Sequence, residues 1–115
     1  MAKGFKGILA LAVGAGLLWL SGCATTGVPG PSAEILSRAQ ARWPGTTQAD
    51  LVEGRGLYVE HCAACHDLHD ASDLSPAGWE RIMARMQKKA HIDDVTKDRI
   101  LKYLESATER AADAQ

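Results

Sequence analysis

The chain has 115 residues, with 13 basic and 14 acidic side chains, four histidines and a formal charge of −1. So mild a balance excludes a dedicated nucleic-acid binder, which would carry a pronounced basic surface. Three cysteines are too few for the disulfide framework of a small exported domain and ask for another explanation.

Lys3 and Lys6 precede an apolar run from Ile8 to Leu20, ILALAVGAGLLWL. The run falls short of the roughly 20 residues that span a bilayer and fits the h-region of a secretory signal. It ends in Leu20-Ser21-Gly22-Cys23, a hydrophobic residue and two small ones directly before a cysteine, which resembles the bacterial lipobox. The resemblance implies a lipoprotein signal peptide over residues 1–22, a lipidated Cys23 as the new N-terminus, and a protein anchored to a bacterial membrane and facing the periplasm. Ala24 follows where an aspartate would retain the lipoprotein at the inner membrane, which leans towards the outer one. Without residues 1–22 the chain carries 11 bases and 14 acids.

Residues 23–46 read as the lipidated cysteine and a flexible tether. The stretch from Ala24 to Ser32 is small and polar with Pro29 and Pro31. A short helix over Glu34 to Trp43, ended by Pro44-Gly45, is compatible with the pattern. The folded domain is expected over residues 47–110. Thr47 with Asp50 resembles a capping pair opening a helix to about Ala64, with Leu51, Gly54, Tyr58 and Cys62 on one face. Ser75-Pro76 opens a second helix, where Trp79, Ile82, Met83, Met86 and Ala90 form the apolar stripe and Arg81, Arg85, Lys88 and Lys89 lie largely opposite. Asp93 or Asp94 caps a third, buried through Ile100, Leu101, Tyr103, Leu104 and Ala107. No strand-like alternation occurs, so the fold class is all-α with three helices. A core this small needs a staple such as a metal or cofactor.

Cys62-Ala63-Ala64-Cys65-His66 supplies one. C-x-x-C-H is the pattern of covalent haem attachment: both sulfurs meet one porphyrin edge from a single helical turn, and the adjacent histidine reaches the iron. A thioredoxin-like pair would want a βαβ context, and a zinc site would want two further ligands; neither is visible.

From about Thr47 to Thr108 the chain resembles the small monohaem class I cytochromes c. Gly54 and Tyr58 stand before the haem motif as in that family's first helix, and Ile100-Leu101-Lys102-Tyr103-Leu104 resembles its last. The resemblance implies a cytochrome c-like fold around one covalent haem c, with Gly54, Tyr58 and Tyr103 in contact and Leu68 packed on the haem. Trp79 to Met86 is similar to a W-x-x-[VI]-x-x-R-M pattern whose methionine binds iron, which implies His66 and Met86 as axial ligands and Met83 as the fallback. Trp79 is left either to a haem propionate or to the core. His61 reads as a neighbour of the motif, and His69 and His91 as mostly solvent-exposed with a minor claim on the iron. The expected role is electron transfer without catalysis, to redox partner proteins, with the basic face of Arg81, Arg85, Lys88 and Lys89 as a candidate docking surface. Two other readings stay open: a haem enzyme or gas sensor with an open distal site, and a structural lipoprotein with no cofactor.

Overall fold

The computed structural model describes residues 27–109; the apolar run, the lipobox and Cys23 lie outside the described residues. The described part is all-helical: α1 (Ala33–Arg42), α2 (Gln48–Cys62), a 3-10 turn (Ala71–Asp73), α3 (Pro76–Ala90) and α4 (Asp94–Ala107).

Each helix starts where a short polar side chain can take up an orphan backbone N–H. Ser32 Oγ accepts from Ile35 N–H, Ser75 Oγ from Gly78 N–H and Asp93 Oδ1 from Thr96 N–H. Thr47 and Asp50 form the reciprocal capping box that their spacing predicts. α3 has Pro76 at its first position and stops at His91, whose left-handed backbone (φ 54°) turns the chain towards α4.

α4 is the element on which α1, α2, α3 and the 3-10 turn all pack. Ile100, Tyr103 and Leu104 are fully buried along it, against Leu51 and Tyr58 of α2 and Trp79 and Met83 of α3. The α2–α4 crossing is close because Gly54 has no side chain. A Cβ there would stand 2.4 Å from the Arg99 carbonyl oxygen and 3.0 Å from Tyr103 Cβ. The expected contact of Gly54 with Tyr103 is therefore present. Tyr58 belongs to the same buried cluster and stacks edge-to-face on Trp79 with ring centroids 5.9 Å apart.

Beside the three expected helices, α1 is the short helix that the sequence allowed over Glu34 to Trp43. α1 is no appendage to a tether: Ile35 and Ala39 are buried. Arg38 Nε donates to the Ser106 carbonyl at 2.8 Å, and Arg42 pairs with Glu80 and with the buried Glu105 carboxylate. The supposedly flexible stretch before α1 is also docked from Gly27 onwards. Val28 is 1% exposed, and the Val28 and Pro29 carbonyls accept from Arg55 Nε (3.0 Å) and Tyr103 Oη (2.7 Å). Composition predicted a spacer; four backbone carbonyls and one buried valine make it a strap.

Burial raises the Glu105 carboxyl from its ordinary 4.5 to about 7, with Arg42 pulling it back and Glu80 adding to the rise. The folded state thus holds a proton that the unfolded chain has released between these pH values. The contribution of Glu105 to stability is full below about 4.5 and is lost as pH rises through 7.

Two sets of substitutions test this frame by denaturant unfolding of the purified protein. Gly54→Ala should cost about 1–3 kcal/mol through overpacking, whereas Gly56→Ala, with open space around its Cβ, should gain about 0.5–1 kcal/mol. Glu105→Gln should match the parent at pH 4.5 and exceed it at pH 8, by on the order of 2 kcal/mol.

Candidate functional site

α2 carries the C-x-x-C-H segment out of the core. Its last residue is Cys62, half-buried; a turn follows over Ala63–Cys65, and Cys65 and His66 are exposed. Both thiols are free. Burial pushes the Cys62 thiol up, and the neighbouring Cys65 pushes it further. His66 Nδ1 lies 2.7 Å from the Asp67 carbonyl oxygen. A carbonyl only accepts, so Nδ1 carries the proton and Nε2 keeps its lone pair for a metal.

Because α2 and α3 each pack on α4, a cleft of about 300 Å³ opens between them. On one side stand Cys62, Cys65 and His66, with Tyr58, His61 and His69; on the other stand Ile82, Met83, Met86 and Ala90 of α3, with Lys89 at the wall's end. The expected site residues Cys62, Cys65, His66, Met86 and Met83 are thus brought to one cavity. Met83 is 2% exposed and belongs to the core cluster, while Met86 is half-buried.

The segment after His66 is held by aromatic side chains from both walls. Tyr58 Oη donates to the His69 carbonyl and Trp79 Nε1 to the Ala71 carbonyl, each at 2.8 Å. Asp70 and Asp73 close a box at 2.9 Å, and Thr108 Oγ1 donates to the Leu74 carbonyl at 2.8 Å. Desolvation holds the Tyr58 phenol far above its ordinary range, so the donor keeps its proton at any physiological pH.

Several sequence expectations are thereby decided. The Trp79 indole N–H is taken by the Ala71 carbonyl, while its ring also lines the cleft. Leu68 packs half-buried on the core cluster and not on the cleft wall. His91 caps α3 away from the cleft. His69 lines the cleft beside His66, ring centroids 5.8 Å apart, and pairs with Asp73 at 3.4 Å. It stands only three residues from His66, a span of about 10 Å at most, too short to carry the chain round a porphyrin rim to the opposite face. The loop anchoring by Tyr58 and Trp79, and Lys89 at the cleft, were not anticipated. Both aromatics stood out in the sequence, but a carbonyl partner leaves no mark there.

The residues fit a covalently attached haem: two free thiols and a histidine with a free Nε2 share an apolar cleft with two thioether sulfurs. A small all-helical body with this cleft defines a c-type cytochrome. The family model for dihaem cytochrome c matches residues 58–115, half of the chain, and the protein belongs to that family. No curated protein and no solved structure matches the chain. Family membership brings a covalently bound c-type haem and an electron-transfer role.

The loop anchors can be tested without reference to redox chemistry. Trp79→Phe leaves the Ala71 carbonyl without its donor and should destabilise the haem-loaded protein by about 1–3 kcal/mol in denaturant titrations. Tyr58→Phe should cost about 0.5–1.5 kcal/mol, since only the hydroxyl is lost.

Proposed function

We propose that this protein is a membrane-anchored electron carrier of the periplasm, with one haem c bonded to Cys62 and Cys65 and held axially by His66 and Met86. The observation that carries the reading is the placement of one C-x-x-C-H segment and the α3 methionines on the walls of a single apolar cleft. The family is dihaem, yet this sequence contains one C-x-x-C-H, and its remaining cysteine, Cys23, stands alone. One attachment motif supports one haem in this chain.

Bound haem supplies a one-electron iron centre; the chain's own residues do the rest. Cys62 and Cys65 fix its edge. His66 presents Nε2, its ring oriented by the Nδ1–Asp67 bond. Met86 supports the sixth position better than Met83, whose side chain is already used in core packing. A thioether ligand raises the reduction potential relative to a second histidine. Ile82, Met83 and Ala90 exclude water from the α3 wall. Iron held by both His66 and Met86 would have no place left for a substrate, which favours outer-sphere transfer over catalysis. Lipidated Cys23 keeps the carrier on its membrane, the outer one by the residue at position 24.

Spectroscopy on the purified protein tests this. Haem staining after denaturation and haem quantification should give one thioether-bound haem per chain, abolished in Cys62→Ala/Cys65→Ala. The oxidised protein should show the sulfur-to-iron charge-transfer band in the far red, kept in Met83→Leu and lost in Met86→Ala. The converse pattern assigns the ligand to Met83. A high-spin parent that binds carbon monoxide readily would refute the carrier role.

A further inference from the structure

The strap before α1 ends at a defined place on the molecule. Its carbonyls are taken in sequence: Gly27 O accepts from Ala71 N–H at 2.8 Å, Val28 O from Arg55, Pro29 O from Tyr103 and Pro31 O from Gln48 Nε2. Gly27 crosses Asp70 so closely that a Cβ would overlap its carboxylate, and φ +80° there already demands glycine. The first described residue, Gly27, therefore lies at the Asp70–Asp73 corner, beside the segment that follows His66.

Cys23 is four residues from Gly27, a reach of at most about 14 Å. α4, by comparison, is about 21 Å long. It runs from the far corner at Asp94 to this one, where Glu109 N–H donates to Ser72 Oγ at 3.2 Å. A leash shorter than the body cannot let the molecule tumble freely on its anchor.

We propose that the Gly27/Asp70–Asp73 corner is the membrane-facing surface of this cytochrome, held against the lipid headgroups by the short segment from Cys23, with the α3–α4 corner at His91–Val95 directed away. The inference rests on the reading of Cys23 as lipidated. Attraction does not set this orientation. The corner carries Asp67, Asp70 and Asp73, while Arg81, Arg85, Lys88 and Lys89 on α3 are exposed and enter no ion pair among the described residues. On an anionic bilayer those cations would pull the other way. The strap and the short leash oppose that roll.

In the mature protein Cys62 and Cys65 are in thioethers and Cys23 is acylated, so one added cysteine is the only free thiol. Nitroxide labels at Glu109→Cys and at Val95→Cys are compared on the lipidated, reduced haem protein in phosphatidylcholine vesicles bearing headgroup-linked nickel. Relaxation at position 109 should exceed that at 95 by roughly twofold or more, and inserting about ten Gly/Ser residues after Ala24, about 17 Å on average, should erase the difference. Equal rates, or faster relaxation at 95, in the protein with its native leash would overturn the proposal. Vesicle flotation separates the two readings. A parent that does not float, like Cys23→Ser, has no anchor, and both fall; a parent that floats with the wrong label order loses only the orientation.

Discussion

The close crossing of α2 and α4 organises the protein. Gly54 removes the one Cβ that would collide with the α4 backbone, and the approach this permits buries Leu51, Ile100, Tyr103 and Leu104 together. Once α4 is the shared support, α2 and α3 lie on it side by side, and the space between them is the cleft. A body of about 80 described residues buries few large side chains, and a covalently fixed cofactor between two of its helices is what such a thin core calls for. The same crossing thus makes the fold and leaves it in need of its haem.

Local chemistry was legible. Helix starts at Thr47, Ser75 and Asp93 follow from side chains that cap the next turn, and such signals need only three or four residues of context. The motif at Cys62–His66 and the α3 stripe were equally local, and the structure brings both to one cavity. What escaped was long-range. α1 is held by Arg38 and Arg42 reaching the end of α4, 68 residues away for the Arg38–Ser106 bond. The strap's glycine, prolines and small residues read as a spacer because composition reports intrinsic flexibility. Its order comes from donors on Arg55, Ala71 and Tyr103 that a window on residues 24–32 does not contain.

The family match and the cysteine pattern refine each other. Membership establishes a c-type cytochrome, while the one C-x-x-C-H concentrates the chemistry in the cleft between α2 and α3. Charge is divided in the same molecule. Acidic side chains gather in the segment after His66, and bases with no ion pair among the described residues line the exposed side of α3 as far as Lys89 on the cleft wall. The α3 side and the loop thus present opposite electrostatic character to the surroundings.

The two aromatic donors on the loop carry a further consequence. Tyr58 and Trp79 hold the carbonyls of His69 and Ala71 in place, and the Asp67 carbonyl is engaged by His66 itself. Three peptide dipoles in the segment next to the cleft are thereby prevented from turning. When the charge at a redox centre changes by one, mobile dipoles around it must rearrange, and that reorganisation energy slows the electron. Dipoles already fixed by the fold have little rearranging left to do. With haem held in the cleft as proposed, the hydrogen bonds that tie down this loop would lower the nuclear cost of each electron passed, a contribution to rate that comes from the loop's stiffness and not from its ligands.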